Sequence, residues 1–599
     1  MSQVKFENGC IQIAGKRMQI ISGVVHFFRL PRASWRDRLE KTAALGCNCI
    51  ESYIFWNLTE PEEGRFRLDG NLDFETFFRM AGELGLHVIV RPGPYTCSEC
   101  DNGGLPWWLM NRPGMEIRRS NKPFLDAVRS YWSVILPKIA ALQHDCGGPV
   151  IAVQIENEYG GYCHDAAYLE TLAGMAREFG ITVPLFTSNG AHPEYLPDAM
   201  IDGVPLALDF GVNSMQMFRL GRKFRPDDPL FCGEFWGSWL THWGDSHVIE
   251  RDPEEYASEL DDMLRAGGNV NIYMACGGTN FGFMGGANQM PGDPYKPDAT
   301  TYDFDAPISE AGDITPKFHA LQRVIRKYRP EMKPVTPENP RKHSYGKIQF
   351  SATARLFDHL PELSSPRKSL SPQTMEKLGQ GFGFLLYRTT VTGPRHNFLA
   401  LEGARDRVQL FLNRAPAGIF HRNDSSFRTP ELHFPPGENR LDLLVENLGR
   451  VNYGPFVGRD PKGIVGELML GTQVRVGFEH YPLPLDNLEQ LTFDAPDTLC
   501  EEPAFHRAVF EIGPEEEPAD TFLRFPGIHG CVFVNGVHLG RYWEIGPVKT
   551  LFLPGCMLRK GINEIIVFET TRLRFPYVES TATPEFGPRK QFLDSLDQI

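Results

Sequence analysis

The stretch PVIAVQIENEYGG, residues 149–161, is an apolar run of strand length that stops abruptly at Glu156, Asn157 and Glu158. An apolar strand ending in acids is what an α/β protein shows where its chemistry sits at the carboxyl ends of its strands. Comparable runs surround it: MQIISGVVH (18–26), CNCIESYIF (47–55), HVIVRPGPY (87–95), VPLFTSN (183–189), VPLALDF (204–210), PLFCGEF (229–235) and NVNIYMA (269–275), which makes eight with the first. Segments of helical period fall between them, at 34–46, 72–85, 122–143, 165–180, 215–224, 252–268 and 316–328, with a short or irregular piece near 193–200. Several end in glycine, and Ser34 and Asp252 stand where N-caps belong. Eight strands with interleaved helices predict a (β/α)8 TIM barrel over 1–330, its active site at the strands' carboxyl ends. A doubly wound open sheet is the alternative, but the first turn carries no GxGxxG.

After Tyr328 the helical pattern stops. A proline-rich polar linker is expected at 331–345. Beyond it come short alternating runs such as FGFLLYRTTV, RVQLFLN, NRLDLLVEN, CVFVNGVHLG and NEIIVFET, bounded by Gly, Pro, Asn and Asp. They predict two all-β domains of jelly-roll or sandwich type, 346–485 and 486–599, divided near PLPLDN (482–487). VQLFLNRAPAG (408–418) and GCVFVNGVHLG (530–540) are alike, each a strand, an Asn-centred turn and a strand, and suggest two copies of one module.

A chain of 599 residues needs more than one core. A net charge of -14 opposes non-specific binding to nucleic acid or to anionic membranes, which demand basic patches. No apolar run is long enough to span a bilayer. MSQVKFENGC lacks the marks of a secretory signal, so the cytoplasm is the expected location. The 12 cysteines are scattered and imply no disulfide framework, so reduced thiols are expected. One CxxC, Cys97 to Cys100, has no second half to complete a zinc site, and no metal is expected. A homo-oligomer is compatible with the sequence.

On the predicted barrel, Glu158 falls just past strand four and Glu234 near the end of strand seven, across the mouth from one another. Two carboxyl groups facing across a pocket are the minimal kit for glycoside hydrolysis, one as nucleophile and one as acid and then base. The structural reading, ion pairs or helix caps, stands beside this one. Period alone does not separate Glu156 from Glu158, which are two residues apart. Aromatic residues group at the same strand ends: Tyr53, Trp56, Tyr95, Trp107, Trp108, Trp236 and Trp239. Their faces suit the CH surface of a sugar.

Taken together, SGVVHFFRLPRASWRDRLEKTAALGCNCIESYIFWNLTEPEEG, LGLHVIVRPGPYTCSECDNGGLPWWL, GGPVIAVQIENEYG, GEFWGSWLTHWG, NIYMACGGTNFGFMGGAN and TTYDFDAPISEAGD resemble the glycoside hydrolase family 35 β-galactosidases in content, order and spacing. VENLGRVNYGP, KGIVGELML and VFVNGVHLGRYWEIGPVKTLFLP resemble that family's galactose-binding-like β-domains, so the likeness spans essentially the whole chain. The resemblance implies Glu158 as acid/base, Glu234 as nucleophile and Asn157 as the ligand of the sugar 2-hydroxyl. It assigns Tyr53, Cys97, Ser98 and Glu99 to the terminal galactose subsite, Trp236 to the nucleophile's flank, and Tyr302 and Phe304 to substrate contact. Two departures stand out: Phe304 replaces a tyrosine of the family pattern, and CSEC replaces CAEW, bringing in Ser98 and Cys100.

The implied activity is retaining, exo-acting hydrolysis of terminal non-reducing β-D-galactose from oligosaccharides or small glycosides, without cofactor. One alternative is the same machinery acting on glucosamine, fucose or arabinose, motivated by Phe304 and Ser98. Another is a non-catalytic carbohydrate-binding protein.

Overall fold

The structure, a computed structural model, describes residues 3–333 and 335–592. Eight strands close into a parallel barrel in chain order: β1 (Ile21–Val24), β2 (Cys49–Tyr53), β3 (His87–Arg91), β4 (Val150–Gln154), β5 (Leu185–Gly190), β6 (Leu206–Phe210), β7 (Phe231–Trp236) and β8 (Asn269–Tyr273). Strands covered on both faces read as unbroken apolar runs, which is why each stood out in the sequence. The expected helices form around the barrel: Trp35–Leu45, Phe74–Glu83, Lys122–Ala140, Ala166–Glu178, Ser214–Phe224, Pro253–Arg265 and Pro316–Tyr328. After β5 the chain makes only the single turn Pro197–Ala199.

Local chemistry sets the helix ends. The Asp252 side chain accepts from the amides of Glu254 and Glu255, and Asp73, Asn121 and Asp165 cap their helices in the same way. Ser34 does not. It closes a preceding turn in helical conformation, and its hydroxyl makes no capping bond. Gly46 ends that first helix at φ 113°, where a Cβ would meet Ile325 at 2.6 Å.

The two all-β units do not divide the chain as a linear reading expects. A six-stranded sheet runs Arg367–Ser369, Phe478–Leu483, Phe384–Asn397, Leu432–Glu446, Arg407–Leu412, Ala415–His421. The eight-stranded sheet of the last unit contains Gly346–Arg355, which pairs with Ala504–Ile512 on one side and Tyr577–Thr581 on the other. The strand at 346–355 therefore belongs to the second β-domain, not the first, because backbone pairing is blind to distance along the chain. Leu386, Phe411 and Leu444 of the first sheet pack with Phe505, Phe533 and Phe568 of the second in one apolar cluster. The segment 331–345 is pinned as a strap rather than slack: Asn339 accepts from the Ile314 amide at 2.8 Å, and His343 donates to Asp520 at 2.9 Å. Pro334 within it, and the end of the second β-domain at 593–599, lie outside the described residues.

The two look-alike stretches both form tight hairpins. Asn413 and Arg414 in one, and Asn535 and Gly536 in the other, all have positive φ, as a two-residue turn matched to strand twist requires.

The first β-domain is keyed into the barrel mouth by Arg450, whose side chain is fully buried. Its guanidinium pairs with Asp101 of the loop after β3 at 2.9 Å and with Glu376 of its own domain. Deleting one member of a buried charge cluster leaves the others uncompensated, at a cost of about 3–5 kcal/mol. Arg450→Met is expected to lower the thermal midpoint by several degrees and loosen the barrel from its β-domains, read by calorimetry and limited proteolysis; an unchanged midpoint would contradict this role.

Candidate active site

At the carboxyl end of the barrel a cavity of about 290 Å³ is lined by Cys97, Ser98, Glu99, Asn157, Glu158, Glu234, Trp236 and Phe304, together with groups that the sequence reading did not assign to the site. Glu158 and Glu234 thus share one cavity, and they are held in opposite ways.

Glu234, on β7, is fully hydrogen-bonded. Oε1 accepts from Arg91 Nη1 at 2.6 Å and from the Tyr53 hydroxyl at 2.9 Å, and Oε2 accepts from Trp236 Nε1 at 3.1 Å. Arg91, at the end of β3, also reaches Asn157 Oδ1 at 3.3 Å and pairs with Glu51 at 2.7 Å. This arginine was not legible as a site residue. It sits inside RPGPY, where a charge at the end of an apolar strand was the only signal. Beneath the site, burial pushes Glu51 up to about 7 against the pull of Arg91, and it pushes Asp209, paired with Ser188 and close to Glu234, well above the usual carboxylate range.

Glu158 faces the cavity, and among the described residues no donor reaches its carboxyl. Burial, then the charges of Glu234 and Glu99, raise it to about 8, with Arg118 and Arg91 pulling the other way. Glu156, two residues earlier, turns elsewhere. Its oxygens take Arg118 Nε at 3.1 Å, Arg118 Nη2 at 2.7 Å, the Tyr168 hydroxyl at 2.8 Å and the Asn157 amide at 2.8 Å. The period-two rule could not separate the pair because the chain leaves β geometry here: Glu156 has φ 61° and Glu158 φ 45°.

The loop Cys97, Ser98, Glu99 is a run of three non-glycine residues at positive φ (57°, 50°, 50°). Such a conformation costs of order 1–3 kcal/mol per residue and persists where neighbours over-determine it. Here Arg29 Nη2 donates to the Ser98 carbonyl, Ser98 Oγ lies 3.2 Å from the Tyr273 hydroxyl, and the Gly286 amide donates to the Glu99 carbonyl at 3.0 Å. Burial raises Glu99, offset by the Tyr302 hydroxyl and Arg29. Cys97 Sγ lies 3.9 Å from Asn452 Oδ1, whereas Cys100 Sγ is bonded to Asn57, so the two thiols of CSEC have separate partners.

Two assigned residues stand behind the wall rather than in it. Tyr53 is 1% exposed and acts on Glu234, and Tyr302 is 3% exposed and donates to Glu99 while its oxygen lies 2.7 Å from that of Tyr273. Phe304 does line the cavity, at φ 58°, with the Tyr273 ring edge-on at 5.4 Å. Beside it the barrel contributes the phenol of Tyr273, from the end of β8, to the lining. Trp239 and His242 come from the loop after β7. Tyr453, whose phenol the Glu158 charge and then burial push well above the usual range, comes from the first β-domain. That last group had no local signal, because the domain bearing it looks like a separate body in the sequence.

Comparison with known proteins bears on what this arrangement is. The profile of glycosyl hydrolases family 35 matches residues 10–328, that of the beta-galactosidase first all-beta domain residues 372–484, and that of the beta-galactosidase galactose-binding domain residues 503–563. A protein of Xanthomonas manihotis named beta-galactosidase is 39% identical over 547 residues, 90% of this chain and 89% of its own. Beta-galactosidase 17 of Arabidopsis thaliana is 39% identical across 94% of this chain and 86% of its own, and the beta-galactosidase of Felis catus 40% identical across 93% and 87%. A likeness of this depth over the barrel and both β-domains shows that the chain is a glycoside hydrolase and belongs to glycosyl hydrolases family 35.

Proposed function

We propose that the protein is a retaining exo-β-galactosidase, releasing terminal non-reducing β-D-galactose from oligosaccharides or small glycosides through a covalent glycosyl-enzyme. The observation that carries this reading is the unequal treatment of two carboxyls in one cavity: Glu234 is oriented by three donors, and Glu158 takes no hydrogen bond from the described residues and is raised to about 8. Glu234 attacks the anomeric carbon while Glu158 gives its proton to the leaving oxygen; Glu158, now a carboxylate, draws a proton from the water that releases the sugar. Arg91 compensates the Glu234 charge before the bond forms and after it breaks. Asn157 and Glu99 border the same space and take sugar hydroxyls, with Asn157 strengthening its bond as positive charge develops at the ring.

The galactose assignment draws on the names of the relatives. A second reading, the same chemistry on another β-linked sugar, is favoured by Phe304, which removes one phenol from the lining. One missing hydrogen bond of this kind is worth about 1 kcal/mol.

Four results are expected. The first anomer seen by proton NMR is β-galactose; initial α-galactose would indicate inversion. On a panel of aryl β-glycosides the galactoside is turned over best, and parity with the others would overturn the sugar assignment. The rate falls as pH rises through about 8, because the acid form of Glu158 is lost there. Glu158→Gln should abolish that limb, slow natural glycosides by about 10²–10⁴, and spare substrates with activated leaving groups far more. A limb that persists in the variant belongs to another group.

A further inference from the structure

Trp236 supplies one of the three donors that orient Glu234, and it stands where β7 ends and an irregular stretch begins. From there to the helix Pro253–Arg265 the chain runs through turns to one short strand, Val248–Glu250. That strand pairs in parallel with Arg589–Gln591, from beyond Tyr577–Thr581 in the second β-domain. The segment bearing its partner is anchored first in its own domain, where the Lys549 amide donates to the Glu585 carbonyl at 2.9 Å and the Gly587 amide to the Pro547 carbonyl at 2.7 Å. It then crosses to the barrel. The Val248 amide donates to the Pro588 carbonyl at 2.9 Å and the Phe592 amide to the Glu250 carbonyl at 2.7 Å. The Glu250 carboxylate accepts from Arg589 Nη1 at 3.0 Å and from Gln591 Nε2 at 2.9 Å.

Phe592 is the buried end of this crossing, 4% exposed where the three residues before it are open to solvent. Its ring touches what holds Trp236 from two directions. The Arg251 guanidinium lies 5.3 Å from the centre of the Phe592 ring, and its Nη1 donates to the Trp236 carbonyl at 2.9 Å and to the Gly211 carbonyl at 2.8 Å. The Trp239 ring lies 6.4 Å from that of Phe592 and stands edge-on to the Trp236 ring at 5.5 Å. A Cβ at Gly211 would come 3.2 Å from Phe592 Cζ and 3.1 Å from the Trp236 carbonyl, so ring, glycine and carbonyl are packed without slack.

We infer that residues 585–592 are a latch from the second β-domain onto the loop after β7, and that Phe592 is a positioning residue for the nucleophile: it holds Trp236, whose indole holds Glu234 Oε2. The inference rests on the reading of Glu234 as the nucleophile. A donor helps a reacting carboxylate only where it is fixed before the reaction, and an irregular loop is fixed only by what packs on it. Strand β7 ends at Trp236 itself, so the fixing groups come from the residues that follow and from the latch. Phe592 does not line the cavity, and the second β-domain thereby acts on the site without reaching it.

The test is a coupling measurement on the full chain, with whichever aryl β-glycoside the wild-type enzyme turns over best. Phe592→Ala, Trp236→Phe and the double variant are compared, with Phe592→Leu as the conservative replacement and Arg251→Lys as a second way of loosening the Trp236 carbonyl. Phe592→Ala should lower kcat and kcat/KM together by about ten-fold with KM within about two-fold, the mark of a contact that matters in the transition state. Phe592→Leu should recover most of that loss. Adding Phe592→Ala or Arg251→Lys to Trp236→Phe should cost less than about two-fold more, because all three act through the same indole. Effects that multiply in the double variants would overturn the inference. So would a Phe592→Ala enzyme with wild-type kcat and only a lower thermal midpoint, which would leave Phe592 as ordinary packing. If Phe592→Ala does not fold, the Arg251→Lys cycle decides in the same way. A Glu234→Gln enzyme of undiminished rate would overturn the nucleophile reading and this inference with it, whereas multiplying effects beside an inactive Glu234→Gln enzyme overturn the latch alone.

Discussion

One guanidinium holds the centre of this molecule together. Arg91 is 1% exposed at the mouth of the barrel and carries the positive charge against which Glu51 and Glu234 are arranged. Unpaired carboxylates in such a place would cost several kcal/mol each, and the chain has gathered Glu51, Asp209, Glu234, Glu158 and Glu99 around one small volume. Arg91, with Arg118 near Glu158 and Arg29 near Glu99, offsets this burial only in part. Arg91 pairs directly with both Glu51 and Glu234, and of these two Glu234 lines the cavity. Glu51, Asp209, Glu99 and Glu158 are pushed toward their neutral forms, and of these Glu158 meets the cavity with its proton unshared. The proposed division between nucleophile and acid rests on this difference in bonding.

The same economy governs the domains. Arg450 joins the loop after β3 to the first β-domain, and Lys462, fully buried, is paired with Asp406 and Asp460, the residues that also fix Arg422. Buried charges are weak glue in energetic terms but strict about geometry, whether between domains as at Arg450 or within one as at Lys462. Here Arg422, held by Asp406 and Asp460, reaches Gln289 in the segment between Asn288 and Lys296. The first β-domain is consequently part of the site's wall, contributing Tyr453 directly and the position of that segment indirectly.

What could be read from the sequence follows from what is local. The eight barrel strands and their helices were legible because burial on both faces and 3.6-residue periodicity are written in short windows. Glu158 and Glu234 were legible as acids at strand ends, but Glu158 could be told from Glu156 only by family resemblance, since the two left-handed residues that turn them apart leave no mark on the pattern. Pairing across the chain was not legible: KIQFSATAR at 347–355 alternates like any strand and says nothing of its partners. Nor were Arg91, Tyr273 and Tyr453, whose roles exist only once three elements and two domains meet.

The role proposed for Glu234 is to form the bond to the sugar. A 2-deoxy-2-fluoro-β-galactosyl fluoride slows breakdown of the glycosyl-enzyme more than its formation, so the labelled residue can be found by peptide mass spectrometry. Time-dependent inactivation is expected, with one sugar per chain attached in the FCGEFW peptide at Glu234. A label on Glu158, or slow turnover with no covalent adduct at all, would contradict it.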